Sequence, residues 1–308
     1  MAVLLQLPAF FASCTKTREA LPEDRQTIYI MNTKAAPQGA IDLFFFDTLG
    51  SERLDAYQQV VQWESDRPVY GMSGTGAGRL VALSGTAGET GRWADIRTYG
   101  HLQKHSFALS RESAASPLLS GELFLDEGTS RQVSLDLRPL LSAIRFRSVA
   151  CDFSGRAYAG QRLQILSVFL SYAGSESLPL AAGGDGELLS WINPGYLDSA
   201  AVRALPQPDM LWQRGCGTVG DERVFPEQTF YCYPGANTHL VLEAQVGDIR
   251  CYYPIPLPPL QRDTCLQLDV TLRLMGSPDP DTPTVSGAVV LETQILPWEE
   301  REPCTVLF

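Results

Sequence analysis

The sequence predicts an all-β protein made of two β-sandwich domains in tandem, and three observations lead there. Alternation with β-branched and aromatic enrichment recurs almost everywhere along the chain. Long runs of helical periodicity do not occur. The strand pattern restarts at Gln132, and 308 residues fit about two domains. The expected division is therefore residues 14–130 and residues 131–308, preceded by a leader over residues 1–13.

In chain order, the first segment is MAVLLQLPAFFASC, an apolar run that reaches Cys14 through Ala12 and Ser13. It is too short to span a bilayer, which takes about 20 apolar residues, but it fits the h-region and cleavage site of a signal peptide. A cysteine directly after Ala-Ser marks a lipoprotein signal, so Cys14 is the expected lipidation site and the tether to a membrane. Two or three acyl chains hold a protein there stably, where one holds it only marginally. No Lys or Arg precedes the run and Phe11 stands where an aliphatic residue is usual, which fits a start codon further upstream. The other reading is a short buried segment with an incidental Cys.

Strands are expected at QTIYIMNT (26–33) and AIDLFFFD (40–47), separated by a Pro-Gln-Gly turn. LDAYQQVVQW (54–63) suits strand better than helix, and GMSGTGAGRLVAL (71–83) reads as a Gly-rich turn feeding a buried strand. WADIRTY (93–99) has apolar residues at helical spacing after a Gly and predicts a short helix. After Gln132, Ile144, Phe146 and Ser148 alternate with Arg145 and Arg147 as in a half-exposed strand. RLQILSVFLSYA (162–173) follows. Residues 174–224, rich in Gly, Pro and Asp, read as a long decorated loop. Further strands are expected at FYCY (230–233), HLVLEAQV (239–246), IRCYYPIPL (249–257) and CLQLDVTLRL (265–274), the middle two joined by a turn at Gly247-Asp248. GSPDPDTPT is an extended loop, and the chain closes with GAVVLETQILPW and EEREPCTVLF.

Composition removes several functions. A net charge of -11 and the lack of a basic stripe exclude a nucleic-acid surface. Cys151, Cys216, Cys232, Cys251, Cys265 and Cys304 show no CxxC spacing, and with only three His no metal site is expected. Those cysteines suit either disulfides or buried thiols. GTGAG (74–78) has no Lys-Ser/Thr after it and reads as a strand-connecting turn, not a phosphate loop. Ser73 in GMSGT lacks the last Gly of a nucleophile elbow. His101 and His105 in HLQKH lack the Glu of a zinc-protease helix and are expected as exposed polar residues. Asp279 and Asp281 lack the Gly and distal Glu of a calcium loop and are expected in a rigid turn. No nucleophile, base and orienter come together, so neither an enzyme nor a cofactor is expected.

Several segments together resemble the fimbrillin family, the subunits of the type V pili of Bacteroidales. They are LDLRPLLSAIRFRSV with CDFSGRAYAG, then FYCYPGANTHLVLEAQVGDIRCYYPIPL, LDVTLRLMGSPDPDTPT and ETQILPWEE with Trp298. In the first half, IDLFFFDTLGSERLDAYQQV and SGTGAGRLVALSG are similar to the family's second strand and following hairpin, so the resemblance covers most of residues 26–308. It implies two transthyretin-like Greek-key sandwiches on a lipoprotein precursor, with the outer membrane, the cell surface and the fimbrium as location. It implies other fimbrial subunits as partners, a surface ligand on host or bacterium, and assembly by strand exchange. In shaft members a protease cuts after an Arg that follows the first strand, and the C-terminal strand of another subunit fills the groove. In CTVLF, Cys304, Val306 and Phe308 would face one way as such a donor, or the tail is an ordinary edge strand of its own domain. Pro303 would end the ladder. Between Arg25 and Arg53 there is no Arg, which leaves Arg25 and Lys34 as the cut sites flanking the first strand. That favours an anchor or an accessory and tip subunit over a shaft subunit. The alternative is a monomeric surface lipoprotein that binds glycan or protein through the 174–224 loop and its Trp191, Tyr196 and Trp212.

Overall fold

The computed structural model describes residues 26–32, 40–48, 52–60, 71–74, 77–86, 90–126, 132–180, 191–192, 208–219 and 228–298. The N-terminal strands are β1 (Gln26–Asn32), β2 (Ile41–Asp47), β3 (Leu54–Val60), β4 (Gly71–Gly74), β5 (Gly78–Ser84), β6 (Phe107–Ala108), β7 (Leu119–Leu125), β8 (Gln132–Ser134) and β9 (Arg138–Pro139). The rest are β10 (Ser142–Cys151), β11 (Leu163–Ser171), β12 (Ala173–Gly174), β13 (Glu176–Ser177), β14 (Trp191–Ile192), β15 (Trp212–Val219), β16 (Gln228–Cys232), β17 (His239–Val246), β18 (Ile249–Pro256), β19 (Thr264–Leu272) and β20 (Val289–Pro297).

They form two sandwiches. In the first, a five-stranded sheet in the order β3-β2-β5-β7-β9 packs against a three-stranded sheet in the order β4-β1-β8. In the second, the sheets run β16-β10-β19-β20 and β15-β11-β17-β18. Residues 132–139, which alternation alone attaches to the second half, pair instead with β1 and β7 of the first.

Residues 43–46 of IDLFFFD, LFFF, are apolar without interruption because β2 is covered on both faces. Ile41, Leu43 and Phe45 point into the first sandwich with Leu80, Ala82, Val133, Leu135 and Leu137. Phe44 and Phe46 point the other way, under Trp93, Ile96, Tyr99 and Leu102. A strand with one wet face would alternate; one buried on both sides reads as a run. The covering layer consists of a 3-10 turn over Thr90–Asp95 and the helix α1 (Tyr99–Gln103), which Thr98 caps by accepting from the His101 N–H at 3.3 Å. The expected helix over 93–99 is thus split, because Ile96 and Arg97 are spent turning the chain from one short helix into the next.

Gly121 on β7 has a packing reason. A Cβ there would lie 2.3 Å from the Asp136 carbonyl oxygen, backbone against backbone, where no rotamer change relieves the clash. Gly121→Ala is expected to destabilise the protein by about 1–3 kcal/mol in denaturant titration. A loss below about 0.5 kcal/mol would mean that the chain crossing at 135–137 yields easily.

In the second sandwich Ile144, Phe146, Leu266, Leu268, Ile165, Leu240, Leu242 and Tyr253 are buried in one core. The clean alternation expected through Ser148 breaks at a register shift between Phe146 and Ser148, after which Val149 is the residue turned inward. β15 corrects the long-loop reading of 174–224: WQRGCGTV is a full strand paired with β11. Its alternation is hidden by Gly215 and Gly217, the latter at φ +101 where glycine is favoured, opposite a shift between Ile165 and Ser167. A four-residue helix α2 (Pro208–Leu211) leads into it.

The thiols of Cys151, Cys216, Cys232, Cys251 and Cys265 are not joined to one another in disulfides. Burial pushes that of Cys232 up to about 12, so it acts as a small apolar core residue and not as a nucleophile.

Candidate assembly site and the joint between the sandwiches

β1 is the middle strand of its sheet. It runs antiparallel to β4, with Gln26 opposite Gly74 and Tyr29 opposite Gly71. On its other side it runs parallel to β8, with Tyr29 opposite Gln132 and Ile30 opposite Val133. Opposite this sheet, the five-stranded sheet presents Ile41, Leu43, Phe45, Leu80 and Ala82. A strand with ladders on both sides, above an apolar floor, is the geometry in which one strand can be exchanged for another of the same direction.

The residues singled out for that exchange, Arg25, Lys34, Cys304, Val306 and Phe308, lie outside the described residues, as do Cys14 and the 1–13 leader. The structure therefore describes β1 and its two ladders, whereas the expected cut sites and donor strand fall outside the described residues. β20, from which the tail departs, is the edge strand of its sheet, with exposed side chains from Glu292 to Ile295.

The remaining candidates are accounted for locally. Gly74 ends β4 and Gly78 opens β5, so GTGAG joins two strands. Asp279 accepts from the N–H groups of Asp281 (3.1 Å) and Thr282 (2.8 Å), the rigid turn expected. His101 is exposed, but His105 is half-buried with its ring 5.0 Å from those of Trp93 and Phe107, so the exposed reading of His105 is corrected. α1 ends at Gln103, before His105. Of the loop aromatics, Trp212 is packed against Phe169, Val241 and Tyr252 on the outer face of the β11-β17-β18 sheet. Trp191 lies on β14, opposite Gly174, and Tyr196 is outside the described residues. Among the described residues no group of His, Cys, Asp and Glu is placed to hold a metal, and no helix is long and apolar enough to cross a membrane.

Sequence reasoning missed the joint between the sandwiches. β6 pairs with β13, and the Leu109 N–H donates to the Ser175 carbonyl at 2.7 Å. Arg262, on the β18–β19 connection, donates to the Pro179 carbonyl (3.1 Å) and to the Ser120 hydroxyl (3.0 Å). Glu112, buried and from the first half, accepts at 3.0 Å from the hydroxyl of Tyr233 in the second. The apolar cluster runs without a break from Phe44 and Trp93 through Leu109 and Leu118 to Tyr233 and Leu240. No local pattern announces this joint, since the Ser120 hydroxyl donates to the Pro179 carbonyl 59 residues on and accepts from Arg262 142 residues on.

The chain is an all-β protein of two tandem sandwiches. Among solved structures it shares the fold of a candidate cell adhesion protein from Bacteroides eggerthii, with a TM-score of 0.65, 17% identity, and coverage of 90% of this chain and 97% of that one. It also shares the fold of the fimbrilin FimA from Porphyromonas gingivalis, at TM-score 0.59 and 11% identity over 89% and 97% of the two chains. A third likeness is the tip fimbrial protein Mfa3 of Porphyromonas gingivalis, at 0.50 and 8% over 89% and 98%. No protein-family model and no curated protein matches the sequence.

Proposed function

We propose that the chain is a structural fimbrial subunit of the bacterial cell surface, working in adhesion and not in catalysis. In this reading it is tethered to the outer membrane by lipid on Cys14 and joins neighbouring subunits by strand exchange. The observation that carries the proposal is the position of β1 between β4 and β8. Excision of a middle strand leaves two unpaired edges about two strand spacings apart, roughly 9–10 Å, which is the space one incoming strand fills. The donor would run parallel to β8, and an apolar side chain opposite Val133 would meet the buried layer. In the tail, Val306 and Phe308 each bring about 1.5–3 kcal/mol of burial before ordering. The lack of Arg between Arg25 and Arg53 supports an anchor or an accessory and tip component that keeps its first strand and lipid and enters the exchange through its tail, its own slot opening only after a cut at Lys34.

The fold likeness to a fimbrilin and to a tip fimbrial protein supports the same reading. The test is a native gel of chain cut at Lys34, with and without residues 304–308. Concentration-dependent ladders that vanish with the tail are expected. A chain that stays monomeric in both forms while retaining glycan on an array would replace the proposal with a monomeric glycan-binding lipoprotein. Intact-mass analysis of protein from its native host would report lipid on Cys14 and the state of the first strand together.

A further inference from the structure

We propose that Glu112 and Tyr233 form a pH-sensitive fastener between the two sandwiches, controlled by one proton on the Glu112 carboxyl. Glu112 follows the 3-10 turn Leu109–Arg111 and its backbone N–H closes that turn on the Leu109 carbonyl at 3.0 Å. Its side chain is only 3% exposed. One oxygen accepts from the Leu118 N–H at 3.0 Å, within the same half, and the other from the Tyr233 hydroxyl at 3.0 Å, across the joint. Tyr233 is fully buried and bridges by backbone to Gly174, beside the β6–β13 pair. The carboxyl thus sits where the chain of the first half meets the β12–β13 segment and the residue after β16 in the second.

What makes this carboxyl a switch is its surroundings. It borders a cavity of about 250 Å³ lined by Phe107, Arg111, Ser116, Leu118 and Tyr233, a space that admits the water a charge attracts. Burial disfavours the ionised form and pushes the carboxyl up to about 7, against the opposing pull of the Leu118 N–H, the Tyr233 hydroxyl and the Ser113 N–H. The charged or titratable groups nearby are Arg111 on the cavity wall, Glu176 opposite Ala108 on the β6–β13 ladder, and His105 beside Phe107.

Because the folded group holds its proton to a higher pH than the unfolded one, its contribution to stability is fully present below the ordinary value of 4.5 and is lost as pH rises through about 7. A neutral Glu112 lets the joint close dry. An ionised one is held by its three donors but draws water into the cavity, and the joint loosens. The same subunit is therefore stiff at mildly acidic pH and more freely hinged at alkaline pH.

The test uses the full chain, its E112Q variant and its Y233F variant, between about pH 5 and pH 8. Amide exchange is expressed as protection relative to the free peptide, which removes the intrinsic pH dependence. In the natural chain, protection at Phe107, Ala108 and Leu109 is expected to fall on the order of 10- to 100-fold across the range. E112Q, which carries no titrating group there, should show no such fall. Carbon-detected NMR of the Glu112 carboxyl in the natural chain reads the titration directly and does not depend on any variant folding; a midpoint between about 6 and 8 is expected. Y233F should move that midpoint upward, since it removes a donor that favours the charged form. A midpoint near the ordinary value, a joint whose protection ignores pH, or an E112Q variant with the natural pH slope would each overturn the proposal.

Discussion

Phe44→Ala is expected to lower stability by about 3–5 kcal/mol, measured as the shift in free energy of the first unfolding transition in denaturant. Phe44 is fully buried on the face of β2 that turns away from the sandwich interior. Its ring stands edge-on to Trp93 at 5.2 Å, tilted to Tyr57 at 5.2 Å and stacked 6.3 Å from Phe46. Removing it opens a cavity under the short-helix layer, and that layer has little else to hold it, because helices of five or six residues are not stable alone. The apolar cluster there is continuous with the second core, so the damage reaches the joint. A loss under about 1 kcal/mol would contradict burial of β2 on both faces.

Asp42→Ala is expected to cost about 2–4 kcal/mol and Asp42→Asn about 1–2, in the same assay. Asp42 interrupts the apolar run of β2 and has no solvent exposure. Its carboxylate accepts from the Tyr57 hydroxyl at 2.7 Å, the Gln59 side-chain amide at 3.0 Å and the Thr86 hydroxyl, which is itself buried. Partial burial and then the hydrogen bond and charge of Asp42 push the Tyr57 phenol above its usual range, as expected if Tyr57 holds its proton for that bond. Alanine strands the Thr86 hydroxyl without an acceptor, while asparagine keeps one oxygen in place. If Asp42→Ala were neutral or stabilising, the network would be a burden that the strand tolerates and not a support.

How far the residues reveal the fold can be read from particular strands. HLVLEAQV is β17 as expected, and IRCYYPIPL matches β18 to within one residue, because each alternates and the pair is joined by a turn of Gly247-Asp248. WQRGCGTV does not look like a strand in sequence because two glycines and a register shift remove the period that marks one. Val133 belongs to the first sandwich although its neighbours in sequence point forward, since parallel pairing with β1 leaves no local trace. The candidate site shows the same division. The first strand is recognisable from its residues, but that it lies between two partners is not.

Period, turn residues and composition, all local properties, suffice to establish an acidic all-β chain with tandem sandwiches. Three things had to await the packed molecule: the second buried face of β2, the middle place of β1, and the meeting of Glu112 with Tyr233 across 121 residues of chain. The reason is physical. Alternation records which side of a strand avoids water, whereas which strand lies next to which, and which carboxyl is stripped of water between them, depends on contacts between residues far apart in sequence.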